Sequence, residues 1–216
     1  MDEPTEPEPP RIERIALPPL SDPLDGDDVH EGERFEGLDW SGADREFWSF
    51  TGCAFRRVGL DGTRLRGAHF RQVTLAELDA PDFAAPRSEW RNVSLTGSRL
   101  GSAELYESVW RSVTVSGCKI NYLNARTATW QDVVLTSCTV GELDLGEARV
   151  ARLAFRDCRI EALTLSGARL ADVDLRGAEL SGIVGVAGLA GGWITDTQLS
   201  DLAPLLARHL QIGVAP

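Results

Sequence analysis

The sequence contains few of the residues that commonly build catalytic and metal sites. It has three histidines, four cysteines and a single lysine among 216 residues. No spacing among His30, His69 and His209 suits a zinc site or a catalytic triad. The lysine, Lys119, follows a cysteine rather than a glycine, so the phosphate-binding loop pattern is absent. We therefore predict a non-enzymatic protein that uses no metal and no cofactor.

Segments typical of export or membrane insertion are also lacking. The N-terminal residues Met1-Asp2-Glu3-Pro4 carry neither the basic charge nor the apolar run of a signal peptide. The longest mostly apolar stretch, residues 182–194, is rich in glycine and too short to span a bilayer. Four cysteines are too few for the disulfide framework of a small secreted domain. These features favour a cytoplasmic protein with no membrane contact.

The acidic charge is concentrated at the N-terminus. Residues 1–34 contain eleven acidic side chains, three arginines and seven of the eleven prolines, whereas residues 35–216 have a net charge of only −3. Such a segment buries too little apolar surface to offset its ordering entropy. We predict that residues 1–34 form a largely disordered tail. An alternative for part of it is a strap of Ile12, Ile15, Leu17 and Leu20 over the N-terminal end of the body.

The rest of the chain is dominated by a five-residue period. Of the thirty positions from Phe35 to Leu180 that are multiples of five, twenty-nine are hydrophobic, and Arg45 is the exception. The position two residues earlier is usually small and apolar, and the residue that follows is almost always polar. Neither a helix nor an extended strand has this period. It indicates a chain that turns a corner every five residues, with glycine at some outward turn positions supplying positive φ.

A second period of twenty residues indicates that four corners close one coil. Aromatic residues, cysteines and valines each recur at this spacing. Because stacked coils lie about 4.8 Å apart, residues 35–180 would form about seven coils and a rod of roughly 35 Å. The three sets are Phe50, Phe70, Trp90, Trp110 and Trp130; Cys118, Cys138 and Cys158; and Val73, Val93, Val113 and Val133.

This pattern resembles the pentapeptide-repeat family, as in Leu165-Ser166-Gly167-Ala168-Arg169-Leu170. The resemblance implies an all-β fold, a right-handed quadrilateral β-helix, which we place at residues 35–183. One branch of the family protects DNA gyrase as dimeric rods that imitate duplex DNA. This chain departs from that branch because its body lacks a strong acidic excess and has no loop insertions.

Residues 184–216 are predicted to cap the C-terminal end. The glycine cluster 185–192 is interpreted as a loop leaving the β-helix. A helix is expected at about 202–211, with Asp201 as N-cap and Pro204 in the first turn. Four leucines would share one face of this helix, and they could serve as a cap or as a homodimer seam. They are Leu202, Leu205, Leu206 and Leu210.

Two further side-chain sets are candidates for function. Arg71, Arg91 and Arg111 share one outward position on successive coils and predict a basic, partner-binding ridge. Acidic residues are expected on a neighbouring face: Asp44, Glu104, Glu107, Asp144 and Glu147. The cysteine set is interpreted as core filling, because buried free cysteine behaves as a small hydrophobe.

The functional prediction is a rigid rod that binds another protein. Gyrase or another topoisomerase is the partner that the family resemblance implies, with DNA mimicry as the mechanism. The alternative is a structural or scaffolding repeat protein with no topoisomerase role. Direct nucleic-acid binding is not expected, because the chain is acidic and no exposed aromatic side chains interleave the arginines.

Overall fold

The computed structural model describes residues 3–12 and 28–214. Within these residues the chain forms a parallel β-solenoid of about 8 turns, followed by a single α-helix. The predicted fold class is confirmed. The number of turns exceeds the seven predicted, because strand pairing begins before residue 35 and continues past residue 180.

The strands of the described residues form two parallel sheets that run along the rod, with strands numbered in chain order. The eleven-stranded sheet contains β1 (Val29–Glu31), β2 (Arg34–Glu36), β3 (Ser49–Thr51), β4 (Ala54–Arg56), β6 (His69–Ala76), β8 (Glu89–Thr96), β10 (Val109–Ser116), β12 (Thr129–Thr136), β14 (Arg149–Arg156), β16 (Arg169–Asp174) and β19 (Gly192–Trp193). The eight-stranded sheet contains β5 (Thr63–Arg64), β7 (Asp79–Ala84), β9 (Arg99–Glu104), β11 (Lys119–Asn124), β13 (Thr139–Asp144), β15 (Cys158–Thr164), β17 (Ala178–Leu180) and β18 (Ile183–Val184).

The register between coils is twenty residues, as the sequence predicts. Trp110 pairs with Trp90 on one side and with Trp130 on the other. The aromatic rings stack in the interior, with centroids 5.3 Å apart for Phe50 and Phe70 and 4.6 Å apart for Trp110 and Trp130. A side of the coil that belongs to neither sheet, near residues 85–88, is joined to its neighbours by backbone bonds such as Arg87 N–H to the Tyr106 carbonyl at 2.9 Å. The backbone is therefore hydrogen-bonded from coil to coil on all sides.

The turns use left-handed backbone geometry at the second residue after each large apolar position. Glycine occupies some of these sites, but sixteen non-glycine residues of the described segments also have positive φ, and all of these except Gln211 lie at this turn position. One corner changes along the rod: Gly42 and Gly62 have positive φ there, whereas the equivalent residues of later coils, such as Ser102, Glu142 and Ala162, are not among the positive-φ residues. Gly177 also lacks positive φ; its Cβ would lie 2.1 Å from the Phe155 carbonyl oxygen, so close backbone approach requires glycine there.

The N-terminal end of the solenoid begins within the segment predicted to be tail. Strand β1 pairs with β3, and His30 is buried, stacked 5.4 Å from the Phe50 ring. Arg45, the exception to the apolar pattern, is also buried at 9% exposure, with its guanidinium 4.2 Å from the Trp48 ring centroid. A cation–π contact of this kind explains how an arginine occupies an apolar position. Ile15, Leu17 and Leu20 of the proposed strap lie outside the described residues.

The glycine-rich run near the C-terminus stays on the solenoid, contrary to the predicted loop. Strand β18 pairs with β15, a 3-10 helix spans Val186–Leu189, and β19 pairs with β16. A Cβ at Gly188 would lie 2.1 Å from the Leu165 carbonyl oxygen, and a Cβ at Gly191 would lie 2.1 Å from that of Leu170. The glycines therefore permit one more coil to stack closely on the preceding one.

The terminal helix, α1, spans Asp196–His209 and so begins earlier than the predicted start near residue 202. Its N-cap is Thr195 rather than Asp201. The Thr195 hydroxyl accepts the Gln198 backbone N–H at 3.1 Å, and the Gln198 side-chain oxygen accepts the Thr195 N–H at 2.8 Å. This capping box fixes the start of the helix, which leaves Pro204 inside it rather than in the first turn.

Candidate functional site

The three predicted ridge arginines lie side by side on the eleven-stranded sheet. Arg71 pairs with Arg91, and Arg91 pairs with Arg111, through strands β6, β8 and β10. All three side chains are exposed. The Arg111 guanidinium lies 3.9 Å from the Glu89 carboxylate. On the next coil the equivalent position is occupied by the neutral Gln131. The row of arginines therefore covers three coils.

The corner that follows this row projects polar side chains from left-handed residues. Asn92, Ser112, Asp132, Arg152 and Asp172 recur every twenty residues with φ between 52 and 58°. Two of them form a bidentate ion pair, with Arg152 donating to Asp132 at 2.6 and 2.8 Å. Asp132 is buried, and the hydrogen bond from Arg152 holds the pKa of its carboxyl below the usual range. We call the arginine row and this corner the arginine face.

Residues 3–12 of the acidic tail, which the sequence predicts to be largely disordered, lie along this face. The Glu8 backbone N–H donates to the Asp132 carboxylate at 3.1 Å, and the Arg11 backbone N–H donates to the Asn92 side-chain oxygen at 3.2 Å. Nearer the C-terminal end of the rod, the Glu6 carboxylate accepts from Arg156 at 2.6 Å. The tail is thus held to the rod by two backbone N–H donors and by one carboxylate that forms an ion pair.

A cavity of about 360 Å³ lies between the middle of the tail and the arginine face. Its walls include Arg91, Arg111, Asp132 and Arg152, with Glu8, Pro9 and Arg11 contributed by the tail itself. The predicted ridge and the acidic tail are therefore brought together. The sequence carried one signal for this contact, the opposite charge of the two segments.

Farther toward the C-terminal end, the acidic tail also lies near Arg176. The pKa of Arg176 is raised mainly by the hydrogen bond to Asp174 and further by Glu3 and Glu6. Arg156, the last residue of strand β14, and Arg176 occupy equivalent positions on successive coils, outside the ridge that the sequence predicts. Because exposed charge pairs contribute little individually, the position of the tail depends on the whole set of contacts.

The acidic residues predicted for a neighbouring face are interleaved with arginines. Arg126 lies 3.3 Å from Asp144 and 3.2 Å from Glu147, and Arg87 lies 2.6 Å from Glu107. Asp44 is hydrogen-bonded to Arg64, and Glu104 accepts from Asn124 at 2.7 Å. Each of the five predicted acidic residues thus has an arginine or asparagine partner. This face is therefore of mixed charge rather than uniformly acidic.

The cysteines Cys118, Cys138 and Cys158 are free and buried in the interior row where the sequence puts them. The Cys138 thiol donates to the carbonyl oxygens of Val115 and Thr136 at 3.5 and 3.3 Å. The hydrogen bond with Cys138, together with burial, raises the pKa of Cys158. Among residues 3–12 and 28–214 no group of three or more potential metal ligands is found.

The C-terminal helix covers the last coil through some of the predicted leucines. Leu202 and Leu205 are partly buried and pack against the hydrophobic core of the solenoid. Leu210 is 64% exposed, and Leu199, which lies one turn before the predicted face, is 49% exposed. Gln198 has a capping role that the sequence pattern did not predict. Its amide N–H₂ donates to the carbonyl oxygens of Leu175 and Ala178, both at 2.8 Å, which satisfies two backbone acceptors of the last coils.

The family model for pentapeptide repeats, with 8 copies, matches residues 155–183. None of the curated proteins matches the chain. Matching solved structures include a trypsin-treated form of QnrB1, a plasmid-mediated fluoroquinolone resistance protein, which is 20% identical and covers 94% of this chain and 100% of that chain, with a TM-score of 0.40. HetL, a pentapeptide repeat protein involved in heterocyst differentiation regulation from the cyanobacterium Nostoc sp. strain PCC 7120, is 16% identical and covers 78% of this chain and 90% of that chain, with a TM-score of 0.26.

Coils of twenty residues with a turn every five define a β-solenoid whose four sides are five residues long. Within that class, the chain belongs to the pentapeptide-repeat family. In the part of the chain that the structure describes, no helix is long and apolar enough to cross a membrane.

Proposed function

We propose that this chain is a non-enzymatic, cytoplasmic rod that binds another protein through its arginine face. The observation that carries the proposal is that an extended peptide, residues 3–12 of the same chain, lies along this face. Two backbone hydrogen bonds join the peptide to the face, and an ion pair joins it to the neighbouring Arg156. A surface that binds one extended segment has donors, acceptors and charge suited to others.

The fold supports this proposal because it supplies a rigid support for a linear surface. The aromatic residues and the valines stack through the interior, and the side chains at the core of each coil are buried. Rigid, preorganised surfaces lose less conformational entropy on binding. The three arginines of the ridge add a concentrated positive charge, which increases the association rate with acidic partners.

The test compares partner capture by two charge-reversed variants of the full chain. Replacing Arg71, Arg91 and Arg111 with glutamate reverses the ridge. The matched control replaces Arg99, Lys119 and Arg159 with glutamate, three exposed cations on the eight-stranded sheet, which gives the same change in net charge. We expect a partner retained by the natural chain to be retained by the control and lost by the ridge variant. Equal retention by both variants would contradict binding through the arginine face.

DNA gyrase, or another topoisomerase, is the second candidate, and it follows from the family resemblance. One structural observation suits this role: strand pairing at a constant spacing of twenty residues runs without interruption from β6 to β16, as a long, regular partner surface requires. The purified chain should then change gyrase supercoiling or quinolone-induced cleavage at micromolar concentration. No effect at that concentration would exclude gyrase and leave a scaffolding role.

The exposed leucines of helix α1 favour a homodimer formed through the C-terminal end. Leu202 and Leu205 are used in capping the rod, whereas Leu199 and Leu210 are exposed large apolar side chains. Sedimentation of a Leu199→Asp, Leu210→Asp variant tests this proposal. A dimer that becomes monomeric with an unchanged melting temperature supports the seam. A natural chain that is already monomeric at micromolar concentration contradicts it.

A further inference from the structure

The tail follows the rod with a periodicity that matches a polyproline II helix. Pro4, Pro7 and Pro10 are half-buried, whereas the residues between them are exposed, so one face of the tail contacts the rod every three residues. A polyproline II helix has three residues per turn. Proline fixes φ near the polyproline II value and lacks a backbone N–H, so the tail sequence restricts this segment to the extended shape in which it is bound.

The hydrogen bonds of the tail repeat with the same period. The donors, the N–H groups of Glu8 and Arg11, are three residues apart and hence about 9.3 Å apart along a polyproline II helix. Their acceptors, Asp132 and Asn92, are two coils apart, which corresponds to roughly 9.6 Å between parallel strands. Three tail residues therefore span two coils. The match between these lengths explains how both hydrogen bonds form without distorting either partner.

The charges of the tail are complementary to those of the rod. Glu6 pairs with Arg156, and Glu8 adds to the effect of Asp132 in raising the pKa of Arg152. Glu3 lies near Arg176. Thus three carboxylates of the tail face three arginines on two successive coils, since Arg152 and Arg156 belong to strand β14 and Arg176 to the next coil.

We propose that the arginine face is a binding site for extended, acidic, proline-rich peptide segments, and that residues 3–12 occupy it as a displaceable internal ligand. The site recognises three features: the polyproline II shape, two free N–H groups three residues apart, and carboxylates beside them. A partner protein that presents such a segment must displace the tail in order to bind. This inference rests on the proposed function, since it names the chemistry of the partner and the competitor that regulates access.

The docking of the tail is tested by amide hydrogen exchange in the full chain. We expect the Arg11 amide to exchange at least tenfold more slowly than in a free peptide of residues 2–12. Asn92→Gly removes its acceptor while keeping a residue suited to positive φ, and it should abolish the protection. Ser112→Gly is the matched control, since Ser112 occupies the same turn position one coil farther along without a hydrogen bond to Arg11.

Exchange of the Glu8 and Arg11 amides at the free-peptide rate in the natural chain would overturn the docked tail. Equal loss of protection in Asn92→Gly and Ser112→Gly would overturn the hydrogen-bond register. Neither outcome depends on whether a partner protein has been found, so failure of this inference is distinguishable from failure of the proposed function.

The competition is tested with a fluorescent peptide of residues 2–12 added to the full chain. A tethered tail has an effective concentration in the millimolar range, so the natural chain should bind the peptide weakly. A full-length Glu6→Lys, Glu8→Lys variant weakens its own tail, and we expect it to bind the peptide at least tenfold more tightly. A peptide with lysine at residues 3, 6 and 8 is the control and should not bind. Equal affinity of the natural chain and the Glu6→Lys, Glu8→Lys variant for the natural peptide would overturn the proposal. So would equal affinity of that variant for the natural and the lysine-substituted peptides. Failure of the variant to bind millimolar natural peptide would also overturn it.

Discussion

The turn geometry predicts that glycine substitution will stabilise the rod at some positions and destabilise it at others. Thr127 has a φ of 55° and an exposed side chain whose hydroxyl bonds only to the neighbouring Arg126 carbonyl. A β-branched residue in the left-handed region is a marked outlier. The chosen change is therefore Thr127→Gly.

The expected magnitude follows from two opposing effects. An L-residue in the left-handed region costs about 1–2 kcal/mol, which glycine avoids. Glycine loses more backbone entropy on folding, which costs roughly 0.5–1 kcal/mol. The difference favours Thr127→Gly by about 0.5–1 kcal/mol, which corresponds to a rise in melting temperature of about 1–4 °C for a chain of this length.

Ala162→Gly is the matched control. Ala162 occupies the same repeat position at the corner that lacks positive φ, so glycine has only its entropic cost there. We expect a loss of about 0.5–1 kcal/mol. Chemical denaturation followed by tryptophan fluorescence measures both changes, since five of the six tryptophans are buried in the core. If Thr127→Gly destabilises the chain as much as Ala162→Gly, the strain attributed to the left-handed turns is refuted.

Three further outcomes are expected. Gln198→Glu removes the side-chain N–H donors to the Leu175 and Ala178 carbonyl oxygens and should lower the free energy of unfolding by about 1–3 kcal/mol. Its control, Asp201→Ala, lies at the wrongly predicted N-cap and should change the free energy of unfolding by less than about 0.5 kcal/mol. The hydrogen bond from Arg152 lowers the pKa of Asp132. The Asp132 carboxylate therefore stabilises the fold above about pH 4, and this contribution is lost as the pH falls through the lowered pKa. In denaturation curves measured at a series of acidic pH values, the free energy of unfolding should decrease less steeply with falling pH for Asp132→Asn than for the natural chain. The raised pKa and the burial of Cys158 predict that a thiol reagent will modify it only as the chain unfolds, and rapid modification of the native protein would contradict this.

The sequence was sufficient to predict the coil because the same constraint repeats in every turn. Two inward positions in every five residues must be apolar, and equivalent residues must stack every twenty residues. Arg45 departs from this pattern because its guanidinium packs on the rings of Trp40 and Trp48. A pattern of residue types at single positions does not include such a contact between side chains. Both tryptophans are close in the sequence, but their contact with Arg45 depends on the closing of the coil.

The ends of the rod were harder to predict, because local patterns there compete with stacking on the preceding coil. The glycines after residue 182 suggest a loop when considered alone, but they are required where the backbone of the last coil approaches the Leu165 and Leu170 carbonyls. Asp201 and Pro204 form a reasonable helix start in isolation, but the Thr195–Gln198 capping box, also bonded to the solenoid, starts the helix earlier.

The arginine ridge was predicted from its spacing, but the peptide bound beside it was not. Composition alone classifies residues 1–34 as disordered, because the segment is acidic and rich in proline. The contacts of residues 3–12 depend on something external to that segment: a row of outward side chains on the rod whose spacing fits the tail. A compositional rule applied to an isolated segment does not include such a surface.

The regular stacking of the solenoid raises the question of what prevents the tail from slipping along it. Translation by one coil would present an almost identical backbone, so shape alone would permit several equivalent alignments. The corner side chains remove this equivalence, because Asn92, Ser112, Asp132, Arg152 and Asp172 differ in charge and hydrogen-bonding capacity. A shift by one coil would move the Glu8 N–H from a carboxylate acceptor to a hydroxyl or a guanidinium. Alignment of any extended ligand is thus encoded in the order of five outward side chains rather than in the shape of the rod.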